Sequence, residues 1–156
     1  MSEPVRLSIE TVHHAAFRYG GWAFLRQAGG AVAGHAGGER NTSSSRIELN
    51  ALIGALQGLP PGPVAILSAS PGVARAARLL AAPPAPGSDA APTEDLDLWA
   101  QALAAAEGRT LTVEAAPDPI SRFLRAWAEV GQDKAKGQGR FGAAIPKSNL
   151  AKLALT

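Results

Sequence analysis

Apolar and polar residues alternate from Val5 to Glu10, with Val5, Leu7 and Ile9 set against Arg6, Ser8 and Glu10. A period of two marks a strand with one buried face, so this stretch is predicted as a first strand that ends on an acid. After a loop through His13, His14 and Ala15, the run Gly20-Gly21-Trp22-Ala23-Phe24-Leu25-Arg26 reads as a second strand. Gly29-Gly30 is its hairpin turn and Ala31 to Ala36 the antiparallel partner, with the small, polar stretch from Gly37 to Ser45 as a loop.

The period then changes. Leu49, Leu52, Ile53 and Leu56 fall at helical spacing after Ser45 and Arg46, and Gly58, Pro60 and Pro61 stop the helix. Val64-Ala65-Ile66-Leu67 is a short apolar run suited to a buried strand within Pro63 to Ser68. Pro71 suits the first turn of a helix to Ala82, with Val73, Ala77 and Leu80 inward. Residues 83–92, PPAPGSDAAP, read as a proline-rich linker with no reason to pack. Thr93 as N-cap, with Glu94 and Asp95 in the first turn, opens a helix whose apolar face is Leu96, Trp99, Ala100 and Leu103. Thr110 to Ala115 alternates as a strand. Asp118 and Pro119 start a helix carrying Ile120, Phe123, Leu124, Trp127 and Val130, and Ser148 to Leu155 forms a short terminal helix. Strands joined by hairpins, followed by helix-crossed strands, predict an α/β fold: a mixed sheet flanked by helices.

The chain has 156 residues, enough for one domain, taken as 1–156. It has no cysteine, which excludes disulfides, thiolate metal sites and a thiol nucleophile. No apolar run is long enough to span a membrane and Met1 to Glu10 has no apolar leader core, so a cytoplasmic protein with no membrane partner is expected. Net charge is +2, but unevenly spread: seven of the 15 Lys and Arg lie in residues 120–156, against two of the 13 acids. The basic, glycine-rich segment near 132–156 is suited to a phosphate backbone. Phosphate-loop, dinucleotide and serine-nucleophile motifs are absent, and Gly20-Gly21 has no Lys-Ser/Thr after it.

Four features together resemble the ribonuclease H family over roughly residues 5–115: an acid ending the first strand, Gly20-Gly21-Trp22-Ala23, Ser45-Arg46-Ile47-Glu48-Leu49 opening the first helix, and Val64-Ala65-Ile66-Leu67-Ser68. Asp97-Leu98-Trp99 resembles the family's helix motif after its variable linker. The resemblance implies a mixed five-stranded sheet, three strands antiparallel and the rest parallel. It also implies hydrolysis of the RNA strand of an RNA–DNA hybrid by two Mg²⁺ or Mn²⁺ ions held by four carboxylates, since close-set cations need several negative ligands.

In that scheme Glu10 and Glu48 match two acids, and they are the metal ligands to expect. Ser70 and Asn149 stand in the places of the other two, and neither is acidic. Lys136-Gly137-Gln138-Gly139 resembles the family's histidine loop with Gln138 for His. In the other C-terminal register, residues 118–131 are the family's last helix, and Asp118 or Asp133 would lie near the site. Arg46, Lys136, Gln138 and Arg140 are the expected substrate-binding residues. The resemblance thus implies a catalytically impaired protein that binds nucleic acid or a protein partner and holds no metal tightly. The alternatives are a divergent active nuclease and a scaffold without a nucleic-acid role. His13 and His14, being adjacent, diverge too much to chelate one ion together.

Overall fold

The structure, a computed structural model, describes residues 3–153. Its elements are β1 (Val5–His14), β2 (Tyr19–Ala28), β3 (Ala31–Glu39), α1 (Ser44–Leu56), β4 (Gly62–Leu67) and α2 (Pro71–Ala81). They continue with α3 (Leu96–Ala106), β5 (Arg109–Glu114), α4 (Asp118–Gln138), β6 (Phe141–Ala144) and α5 (Lys147–Leu150). One six-stranded sheet runs in the order β5-β4-β1-β2-β3-β6. β1, β2, β3 and β6 pair antiparallel, whereas β4 lies parallel to both β1 and β5. The expected mixed sheet is present, with β6 as a strand beyond the expected five.

The alternation in β1 sends its residues to two different layers. Leu7 and Ile9 join the aliphatic core under α1, α2 and α3, with Leu49, Leu52, Leu56, Val64, Ile66 and Val73. Ala23, Leu25, Ala36, Leu124, Ala128, Ile145 and Leu150 form a second, smaller core on the opposite face, beneath α4.

α4 lies so close to the sheet that glycine is required beneath it. A Cβ at Gly21 would overlap the Ala128 carbonyl, and one at Gly38 would overlap that of Gly131. A Cβ at Gly131 would in turn overlap Gly37. Gly21 is therefore a seat for that helix, whereas Gly20 faces Ile47 of α1.

Several boundaries depart from the sequence pattern. His13 and His14 are in β1, paired with Gly20 and Tyr19, and β3 continues through Gly37 and Gly38 to Glu39. Apolar alternation ends earlier because the ladder, once registered, is held by backbone hydrogen bonds whatever the side chains. Thr93 does not cap α3. The position before that helix is Asp95, in a left-handed conformation (φ 55°) that a non-glycine residue adopts at a cost. Its carboxylate is held by Arg46 Nη1 (3.1 Å) and the Ser45 hydroxyl (2.7 Å).

The buried face of α3 is Leu98, Ala102 and Ala106, whereas Leu96 and Leu103 are exposed. Leu96, Trp99, Ala100 and Leu103 instead turn towards the proline-rich segment. There Pro83, Pro84, Pro86 and Pro92 wall an apolar cavity of about 260 Å³ with them. The segment thus has a surface to pack on. The terminal helix is a single turn, and the Ala154 and Leu155 expected in it lie outside the described residues.

Candidate functional site

Glu10 faces α4, two positions along β1 from Ser8, and is 0 % exposed. A carboxylate there loses its water shell, so burial pushes its carboxyl above the ordinary range. Opposing that shift are the Ala69 N–H, the Ser121 hydroxyl, the Arg125 guanidinium and the Ser68 hydroxyl. Ala69 N donates to Oε2 at 2.8 Å and Ser68 Oγ to Oε1 at 3.4 Å. β1 and β4 are parallel neighbours, so the chain leaving β4 passes the Glu10 side chain.

Glu48 is half-buried on α1. Ser43 caps that helix, its hydroxyl accepting from Arg46 N at 3.2 Å. The Glu48 carboxylate lies against Gly72 in the first turn of α2, where any Cβ would overlap it. Burial raises its carboxyl, while the positive charges of Arg75 and His13 lower it. His13 is fixed by a 3.0 Å bond between Nε2 and the Thr42 carbonyl.

Ser70 caps α2, accepting from Val73 N at 3.4 Å, and its own N–H donates to Ser68 Oγ at 3.0 Å. It thereby steadies the hydroxyl that reaches Glu10. Asn149 is placed elsewhere. After α4 the chain returns as β6 along β3, Ile145 N donates to Gly34 O at 2.8 Å, and Leu150 packs over Gly34. α5 therefore sits on β3, and α4 is the helix that faces Glu10, as in the second of the two registers. The residue it presents is Ser121, with Arg125 one turn on. Asp118 and Asp133 are exposed, and neither is among the groups acting on Glu10.

Sequence reasoning missed Ser121, although it is a lone buried hydroxyl in the apolar series Ile120, Phe123, Leu124 and Trp127.

Among the described residues, no three His, Asp or Glu side chains gather within reach of one ion. Each of the two carboxylates has a guanidinium in its surroundings, Arg125 for Glu10 and Arg75 for Glu48. This donor set does not fit a two-magnesium centre, which needs converging anionic oxygens.

Of the expected substrate-binding residues, Arg46 is engaged within the fold. It binds Asp97 through Nη1 (3.1 Å) and Nη2 (2.9 Å) while also meeting Asp95, which ties α1 to α3. The pairing holds the Asp97 carboxyl down to about 2. Lys136 and Gln138 are exposed in the last turn of α4, and Arg140 is exposed just before β6, 3.7 Å from Glu39.

The strand order β5-β4-β1-β2-β3 within the six-stranded mixed sheet, with α1 to α3 on one face and α4 on the other, defines a ribonuclease H-like fold. Solved structures share it. The N-terminal RNase H domain of Rv2228c from Mycobacterium tuberculosis superposes with a TM-score of 0.62 at 20% identity, over 85% of this chain and 97% of that one. RNase H1 from the halophilic archaeon Halobacterium salinarum NRC-1 gives 0.57 at 19% identity, over 85% of this chain and 100% of that one. LC9-RNase H1, a type 1 RNase H with the type 2 active-site motif, gives 0.59 at 16% identity, over 99% and 83%. No protein-family model and no curated protein matches the chain by sequence.

Proposed function

We propose that this chain is a ribonuclease H-like nucleic-acid-binding module without two-metal hydrolysis. The observation that carries the reading is the environment of Glu10: a fully buried carboxylate bonded by the Ala69 amide and the Ser68 hydroxyl, with Ser121 on the helix facing it and the charge of Arg125 acting on it from the same helix. A neutral hydroxyl is a weak ligand for Mg²⁺, and Arg125 already supplies positive charge beside the acid. The binding part of the reading draws on the ribonucleases H that share the fold and on the exposed basic residues Lys134, Lys136 and Arg140 at the end of α4.

The test is an RNA–DNA hybrid incubated with the protein in Mg²⁺ and in Mn²⁺, with binding followed in parallel at low salt. Retention of intact hybrid, weakening as salt is raised, is the expected result. Cleavage that disappears in Glu48→Gln would overturn it in favour of a divergent active nuclease.

A further inference from the structure

The tip of the β1–β2 hairpin carries an aromatic cluster that neither core uses. Phe17 is 70% exposed, the most exposed of the large apolar residues described. Its ring lies 5.1 Å from that of His14 and 6.1 Å from that of Tyr19, at interplanar angles of 30° and 8°. His14 and Tyr19 are themselves 5.1 Å apart at 24°. Three rings within about 30° of parallel thus gather at the surface, where apolar burial alone would not keep them.

The tip is also held rigidly. Arg18 adopts a left-handed conformation (φ 55°), its N–H donates to the His14 carbonyl at 2.8 Å, and its carbonyl accepts from Thr42 N at 2.9 Å. The hairpin is thereby fastened to the loop between β3 and α1.

Positive charge lies beside the rings. The Lys136 ammonium is 5.9 Å from the Tyr19 ring centre, and Lys134 stands 5.5 Å from that of Phe141. Arg18 and Arg40 are exposed on the hairpin and at the end of β3. From Thr11 to Trp22 the chain has no acid. Glu39, next to Arg40 at the end of β3, faces Arg140, and Glu48 lies on the α1 side beside His13.

We propose that this tip is a stacking platform for the unpaired bases of a single-stranded nucleic acid. Exposed, preordered rings offer a face that any base can cover, and the flanking cations match a phosphate backbone. A duplex, whose bases are already stacked, leaves the platform unused. The proposal rests on the nucleic-acid reading above and narrows it to a strand with free bases.

Fluorescence anisotropy at low salt, with a labelled single strand of about 12 nucleotides and an RNA–DNA hybrid of equal length, tests it. The wild type is expected to prefer the strand. Phe17→Ala should weaken strand binding about tenfold or more while moving hybrid binding less than about twofold, and Phe17→Trp should restore it. Because Phe17 is exposed, its loss leaves the core intact, which circular dichroism verifies. Strand binding unchanged in Phe17→Ala, or a wild type that prefers the hybrid, overturns the platform and leaves the module reading standing. A wild type that binds neither probe overturns both.

Discussion

The two faces of the sheet are built by opposite means. Under α1, α2 and α3 the contact is made by large aliphatic side chains, and Leu7, Ile9, Leu52 and Leu56 are each 0 % exposed. Under α4 the contact is made largely by absence: Gly21, Gly38 and Gly131 let backbone approach backbone, and among the described residues Leu25 and Leu124 are the large apolar side chains of that layer with no exposure. One face is damaged by removing atoms, the other by adding them. The carboxylates follow the same division, since Glu10 lies in the α4 layer and Glu48 in the α1–α2 layer. Each acid has its own arginine, Arg125 for Glu10 and Arg75 for Glu48.

The largest effect is expected on the aliphatic face. Leu52→Ala should cost about 2–5 kcal/mol by leaving a cavity among fully buried neighbours, read from the denaturant midpoint. On the other face, Gly131→Ala should cost roughly 1–3 kcal/mol by forcing α4 off Gly37. Gly137, on the same helix, has nothing within 4 Å of an added Cβ. There Gly137→Ala should stabilise by about 0.5–1 kcal/mol, the ordinary helix preference for alanine. Equal responses at 131 and 137 would erase the contrast between a glycine that seats a helix and one that merely occupies it.

Much of this fold was legible because each element carries its own period. The hairpin of β2 and β3, the apolar face of α1, the run in β4 and the Pro71 start of α2 all follow from local patterning. The failures are tertiary. The outward turn of Leu96 and Leu103 depends on α3 docking through Leu98 and Ala102, and on prolines at 83–92 lying over its other side. The placement of α5 on β3 depends on β6 pairing with β3, and Phe141–Ala144, with two alanines and a glycine, has little alternation of its own.

For the candidate site, Glu10 and Glu48 were visible as acids at strand and helix positions. The neighbours that decide their chemistry were not: Ser121 and Arg125 reach Glu10 from more than a hundred residues away along the chain, and Arg75 and His13 reach Glu48 from two other elements.

The smallest expected effect separates the two acids by pH. Burial raises the Glu10 carboxyl in the folded state above its reference of 4.5, so folding favours its protonated form. That contribution to stability is fully present below the unfolded value and is lost as pH rises through the folded one. Glu10→Gln removes the titration and keeps an oxygen for the Ala69 N–H and an amide N–H for a neighbouring hydroxyl. The variant should therefore gain stability relative to the wild type as pH is raised from about 4.5 to 8, with the difference levelling off above the folded value. Glu48→Gln should move the same way, opposed by the loss of its attraction to Arg75 and His13. Urea melts across that pH range measure both. A Glu10→Gln variant that loses ground as pH rises would mean that Arg125 and the hydroxyls hold Glu10 as a charged group in the fold. Adding Mg²⁺ to the same melts extends the comparison, since an ion bound to the folded state stabilises it by mass action. Stabilisation by the ion in the wild type, lost in either variant, would show that the two acids act together across the sheet after all.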